Sequence, residues 1–268
     1  MNQPNPSWDP FEHQDEHPSP LCLQRVRKDI IDFIAHPPPR MFIAPMESDM
    51  TGMNVLMLGA PDSPYEGGAF QFYLKCPPDY PLSPPLVRFL NTDEGRVRFH
   101  AHLCATGKVC LKTLGTLPGP GWNPMLSLGA TLTSIQWLLG AHPLYAFRPH
   151  ATRCDIALYD VFVQHETIRV AVCDQVDGAL REDFRCPPTF RKVILDSFLQ
   201  MYRKYENTVK ARLHETGWQL WDPVSFKYIT AQYETLLARL QDLRDKVEEM
   251  KAEVFAAAYE APVSEAEP

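Results

Sequence analysis

A chain of 268 residues with 45% hydrophobic and 11% aromatic content carries enough apolar mass to fill a core, which excludes global disorder and leaves room for one domain plus an extension. A formal net charge of -7 weighs against a general nucleic-acid binder, no apolar run approaches the roughly 18 residues that span a bilayer, and the N-terminus lacks a signal-peptide core. Seven cysteines, odd in number and without a C-x-x-C, fit free thiols in a reducing compartment, the cytoplasm or the nucleus.

Residues 1–18 hold mostly Pro, Asn, Asp, Glu and His around Trp8 and Phe11, and are expected to form a flexible tail. Ser19 then reads as a helix N-cap with Pro20 at the first helical position, where a missing N–H costs nothing. Leu23, Val26, Ile30 and Phe33 follow at helical spacing, with Gln24, Arg25 and Lys28 on another face, and Pro37-Pro38-Pro39 ends the helix. Three strands are expected over 41–46, 53–58 and 69–76; the last alternates Phe70, Phe72 and Leu74 against Gln71, Tyr73 and Lys75. Pro77–Pro85 cannot donate to a ladder and must cross the sheet before a fourth short strand over 86–90.

The stretch from Val97 to Pro124 begins as strand-like alternation, turns at Thr106-Gly107, and reaches Cys110 between Val109 and Leu111 before a Gly- and Pro-rich loop leads to Trp122. Ser127 caps a helix whose buried stripe is Leu128, Leu132, Ile135 and Leu139. A helical region from Asp155 to about Gln175 follows, then a helix over 189–214 and a break at Asp222-Pro223. Leu236, Leu240, Leu243, Val247, Met250 and Val254 recur at spacings of three and four, which fits a terminal helix packed on its own domain better than a coiled coil. The order describes an α+β fold: a four-stranded antiparallel meander with flanking helices and a helical C-terminal extension. The expected partition is a flexible tail over 1–18, a core domain over 19–173, the helical extension over 174–259 and an acidic flexible tail over 260–268.

Two motifs bear on chemistry. Pro77-Pro-Asp-Tyr80-Pro81-Leu-Ser-Pro84-Pro85 matches P-x-x-Y-P-x-x-P-P, and His100-Ala-His102, seven residues and then Cys110 inside Gly107-Lys-Val-Cys110-Leu, followed by Trp122-Asn-Pro124, runs parallel to H-P-N, seven residues and then the cysteine inside G-x-[IV]-C-L, followed by W-S-P. Spaced and ordered in this way, they resemble the catalytic segment of ubiquitin-conjugating (E2) enzymes and imply the fold of that family. The resemblance implies that Cys110 carries ubiquitin or a ubiquitin-like modifier as a thioester and passes it to a substrate amine, usually a lysine. A thiol suits both halves, as nucleophile and as leaving group, and at an ordinary pKa near 8.5 about 3% is thiolate at pH 7, so no His–Asp relay is demanded.

The resemblance also implies partners: the modifier, an activating enzyme of the standard or the alternative type, ubiquitin ligases and a protein substrate, with neither nucleic acid nor membrane involved. It implies no cofactor, because ATP is consumed upstream. His102 holds the place of the family's asparagine and is a candidate oxyanion donor, and Tyr145 falls near the acidic position that small members carry beside the incoming lysine. Arg25, Lys28, Leu82, Trp122 and Pro124 match positions used for activating enzymes and ligases. Two other readings stay open. His100, His102, Cys104 and Cys110 form an alternative zinc set, since residues 100, 102 and 104 of a strand share one side. A binding or scaffold protein of the same fold with weakened catalysis would fit the histidine at 102.

Overall fold

A computed structural model describes residues 7–141, 143–145, 148–181 and 186–260, with side chains to 254. Helix α1 (Pro20–Ala35) starts where its cap demands: the Ser19 hydroxyl accepts from the Cys22 N–H at 3.2 Å, with Pro20 in the first turn. Its buried stripe is Cys22, Val26, Asp29 and Phe33. Leu23, expected in that stripe, is instead 37% exposed.

Four strands form one antiparallel sheet in chain order: β1 (Met41–Pro45), β2 (Gly52–Leu58), β3 (Ala69–Lys75) and β4 (Leu86–Phe89). Register pairs Val55 with Phe72 and Phe72 with Phe89, which stacks the inward aromatics of adjacent strands. Phe70, Phe72 and Leu74 are buried, as their alternation predicts. The other face is covered too, and Tyr73 and Lys75 are buried as well.

The cover on that face comes partly from a segment expected to be a flexible tail. Residues 8–13 lie on β3 and β4: Phe11 stacks on Tyr73 with ring centroids 5.1 Å apart, Asp9 pairs with Arg88, and the Arg88 guanidinium sits 5.7 Å over Trp8. Two aromatics and one carboxylate, each matched to a partner on the sheet, hold a strip that has no periodic signal of its own. Residues 1–6, and the acidic tail beyond Glu260, lie outside the described residues.

Helix α2 (Leu128–Gln136) begins at Ser127, whose hydroxyl accepts from the Ala130 N–H at 3.2 Å. The expected stripe of Leu128, Leu132, Ile135 and Leu139 is buried throughout. Helix α3 (Arg153–Glu166) runs without a break through a π-helical stretch (Thr167–Cys173) into α4 (Asp174–Leu180), so the expected boundary at 173/174 falls inside one helical run. Glu166, at the junction, is held below the usual carboxylate range against its burial by His165 and Arg169, and Arg169 reaches Asp93 at 2.7 Å. His165 is buried with Nδ1 on Glu166 at 2.8 Å, and its Nε2 accepts from the Gln232 N–H at 3.1 Å.

Helix α5 (Pro188–Ala211) and helix α6 (Tyr233–Glu260) pack on each other, and their buried residues join those of the sheet in one continuous core. The break expected at Asp222-Pro223 is the turn of a hairpin, β5 (Gln219–Asp222) against β6 (Lys227–Thr230), in which Asp222 Oδ1 accepts from the Val224 N–H at 2.8 Å. No helix among the described residues is long and apolar enough to cross a membrane.

Candidate active site

The segment from 97 to 110 is a tight loop and not the strand its alternation suggested. Val97 and Phe99 are buried, and Phe99 meets Phe70 edge to face at 5.2 Å. Two tyrosine hydroxyls, of Tyr65 at 2.6 Å and Tyr159 at 3.3 Å, donate to the Phe99 carbonyl and fix the point from which the loop departs. Further on, the Gly107 N–H donates to the Cys104 carbonyl, and the Cys104 N–H to the Lys108 carbonyl. Gly107 has φ +90 and a Cβ there would stand 2.7 Å from the Phe89 carbonyl oxygen, so the turn requires glycine. Buried Leu103 and Val109 pair across it and pin both arms to the core.

Cys110 leaves this loop half-buried, and its backbone is held from two sides. Its N–H donates to the His102 carbonyl at 2.8 Å, and its carbonyl accepts from His102 Nδ1 at 2.7 Å. The His102 ring therefore carries its proton on Nδ1 when neutral, which leaves Nε2 a lone pair. A neutral His102 braces the Cys110 loop, and only an imidazolium offers a second N–H toward an oxyanion. On the other side Thr116, a residue that no motif singled out, accepts from the Leu111 N–H at 2.8 Å and donates to the Val109 carbonyl at 2.7 Å.

A side chain in contact with the Cys110 thiol also escaped the motifs. Cys104 Sγ lies 3.4 Å from Cys110 Sγ, and Arg98 Nη2 lies 4.0 Å from Cys104 Sγ. The pair shares a hydrogen bond, and that bond dominates its titration. Cys104 is lowered to about 6 by the hydrogen bond from Cys110, with Arg98, Lys108 and His102 assisting against burial. Cys110 is pushed far up by the same bond and by burial. An ordinary, isolated thiol at this position was expected, and the second sulfur displaces that picture.

The alternative zinc set does not assemble. His100 is buried, its Nδ1 accepts from the His102 N–H at 3.0 Å, and burial lowers its pKa to about 3. His102 Nδ1 is committed to the Cys110 carbonyl, and among the described residues no three His, Cys, Asp or Glu side chains converge as a metal-binding group.

The expected partner-binding residues divide in two. Arg25 points inward: Nε donates to buried Asp29 at 3.0 Å, Nη1 to the Pro124 carbonyl at 2.8 Å and Nη2 to the Leu126 carbonyl at 2.6 Å. Asp29 also accepts from the Tyr80 hydroxyl at 2.5 Å. Trp122 is likewise a brace, with Nε1 donating to the Pro81 carbonyl at 2.6 Å. These bonds tie α1, the proline-rich crossing and the 122–126 loop together, and the exposed residues ride on that frame: Lys28, Leu82 at 67% exposure, Pro124 and its neighbour Met125 at 86%. Tyr145 is 45% exposed in the turn after Pro143, anchored by buried Leu144. Replacing Arg25 by alanine leaves the buried Asp29 carboxylate without its cation, so denaturant unfolding of Arg25→Ala is expected to show a loss of about 3–5 kcal/mol. A loss below about 1 kcal/mol would mean that Asp29 is satisfied without it.

Residues 25–156 match the family model described as ubiquitin-conjugating enzyme. The chain is 40% identical over 248 residues to ubiquitin-conjugating enzyme E2 Z of Xenopus tropicalis, covering 90% of this chain and 78% of that protein. It is 42% identical over 246 residues to ubiquitin-conjugating enzyme E2 Z of Homo sapiens, covering 90% of this chain and 68% of that one. Over a shorter span, 117 residues and 44% of this chain, it is 32% identical to ubiquitin-conjugating enzyme E2 T of Xenopus laevis, 58% of which is covered.

Proposed function

The chain belongs to the ubiquitin-conjugating (E2) enzyme family, a family of transferases, and from that premise we propose that Cys110 accepts ubiquitin or a ubiquitin-like modifier as a thioester and transfers it to a substrate amine. The observation that supports this most is the Cys110 loop: a half-exposed thiol on a backbone held by His102, Thr116 and two buried arms. A rigid loop keeps the sulfur in one place while two large partners come and go, which conserves the gain from positioning. The exchange of one thioester for another is nearly balanced in energy, so no bound cofactor is called for and ATP belongs to the activating step.

Members of this family work with ubiquitin, an activating enzyme and ligases. The exposed group of Lys28, Leu82, Pro124 and Met125 is the surface that supports their docking here, with Arg25 and Trp122 holding it in shape. Similarity to E2 Z proteins makes the alternative activating enzyme a candidate donor beside the standard one. A complement of free thiols is consistent with the cytoplasm or the nucleus. Incubation of the full chain with each activating enzyme, ubiquitin and ATP is expected to give a higher-mass adduct that disappears on thiol reduction. Absence of that adduct with both donors would overturn the reading and leave the scaffold alternative.

His102 sets a second expectation. As a brace on the Cys110 carbonyl it contributes one hydrogen bond, about 1 kcal/mol, so His102→Ala should slow discharge to free lysine about fivefold and His102→Asn should recover most of it. A fall of roughly 100-fold would instead make the ring an oxyanion donor in the transition state.

A further inference from the structure

We propose that Cys104 is a catalytic residue of this site, sharing one proton with Cys110: it takes the Cys110 proton as the acyl group arrives and returns it when the acyl group leaves. The proposal rests on Cys110 being the acceptor and adds a partner that the motifs do not contain. It stands first on geometry. The two sulfurs are 3.4 Å apart, within hydrogen-bond reach, and both are half-buried at the mouth of the same loop. The separation is built in, since the turn closed by Gly107 and the Cys104–Lys108 backbone bond brings residue 104 back over residue 110.

The charges around the pair favour one thiolate. Arg98 Nη2 stands 4.0 Å from Cys104 Sγ and also donates to the Ala101 carbonyl, which holds the guanidinium over the loop. Arg98, Lys108 and His102 bear on Cys104, and Lys108 and Arg98 on Cys110, all of them lowering the cost of a thiolate there. A negative charge on one sulfur is thus held by cations and by the S–H of the other. The low pKa of Cys104 agrees with this arrangement.

The chemistry balances. In loading, the Cys110 sulfur attacks the donor thioester carbonyl, its proton passes to the Cys104 thiolate, and the donor cysteine departs as a thiolate. The products are acyl-Cys110 and neutral Cys104–SH. In discharge, the amine attacks the same carbonyl, the bond to Cys110 sulfur breaks, and Cys104–SH supplies the proton that the departing sulfur takes up. The amine's surplus proton goes to water, and the pair is back in its single-proton state. Cys104 thus serves as base in one half-reaction and as acid in the other.

The test bypasses the activating enzyme, whose own pH dependence would intrude. Full-length protein is acylated with the ubiquitin C-terminal thioester of a small alkyl thiol, and the rate of labile adduct formation is followed from pH 5 to 9. The wild type is expected to rise through about pH 6 and level off above 7, because the pair is then already a monoanion. In Cys104→Ser, Cys110 behaves as a single thiol near its ordinary 8.5, about 3% ionised at pH 7; its rate should be about tenfold below wild type at pH 7 and converge with it near pH 9. Titration of the ultraviolet thiolate band of the unmodified chain, where no variant is needed, should show a midpoint near 6 that vanishes in Cys104→Ser. Parallel rate profiles for wild type and variant, or an unchanged thiolate midpoint, overturn the proposal. Labile acylation that survives Cys110→Ala overturns the acceptor reading beneath it, a result the rate profile cannot mimic.

Discussion

Ending the chain at Arg181, which removes α5, the β5–β6 hairpin and α6, is expected to give an insoluble or molten protein and not a minimal conjugating enzyme. The C-terminal third has no core of its own. Leu236, Leu240, Leu243 and Val247 of α6 are buried, as are Phe190, Ile194, Phe198, Tyr205 and Val209 of α5, and all belong to the same cluster as the sheet. Four fully buried aliphatic side chains on α6 alone contribute roughly 6–12 kcal/mol, against a total stability of about 5–15 kcal/mol for a typical domain. The cut would also uncover Val172, Cys173 and Val176 and sever the bonds of His165 to Gln232, of Lys204 to Glu66 and of the Tyr205 hydroxyl to the Gly67 carbonyl. Size-exclusion chromatography and near-ultraviolet circular dichroism check this. A truncated chain that is monomeric, keeps its near-ultraviolet signal and loads normally would show the extension to be an independent module.

Cys110→Ser is expected to abolish the reductant-labile adduct completely. A serine hydroxyl at this position is a far weaker nucleophile and its alkoxide a far poorer leaving group. Whatever ester forms should therefore accumulate slowly, resist thiol reduction and transfer poorly to lysine. The substitution removes no packing of note, since the residue is half-exposed and its backbone is held by His102 through groups that serine retains. The unfolding midpoint should be unchanged, which separates a chemical loss from a structural one. Electrophoresis with and without reductant reads the result, and a labile adduct of normal yield in Cys110→Ser would place the acyl group on another sulfur.

Where the chain repeats with a period, the fold was legible in advance. The α2 stripe and the Phe70, Phe72 and Leu74 face of β3 are buried as written, because period 3.6 and period 2 leave few other ways to hide those side chains. The α6 stripe could be assigned to intramolecular packing for the same reason: α5 packs on α6 and Leu236 to Val247 are buried, although Val254 at the stripe's end is exposed. Non-periodic features were harder. Trp8, Asp9 and Phe11 look like a polar lead-in until Tyr73 and Arg88 stand beneath them. The β5–β6 hairpin hides in Gln219–Thr230, where Trp221 and Tyr228 face each other at 4.6 Å across a turn that Asp222-Pro223 announced only as a break.

At the site, Cys110 and the Tyr80–Pro85 crossing were visible through motif spacing, but spacing says nothing about which way a charge turns. Arg25 read as a surface cation and is a partly buried brace, because Asp29 sits one helical turn away on the inward side of α1. Cys104 read only as a member of the alternative zinc set. Its approach to Cys110 depends on a glycine in the left-handed region three residues later, a backbone detail that residue types hint at without fixing a distance.

One atom carries the proposed chemistry, the sulfur of Cys110. The most direct measurement is to load the wild-type chain with ubiquitin, digest it under acidic, non-reducing conditions that preserve thioesters, and locate the ubiquitin C-terminal remnant by mass spectrometry. Seven cysteines compete, and Cys104 only 3.4 Å away is the sternest control. The predicted result is a remnant on Cys110, lost on treatment with reductant. A remnant on Cys104 or any other residue, with Cys110 unmodified, would contradict it.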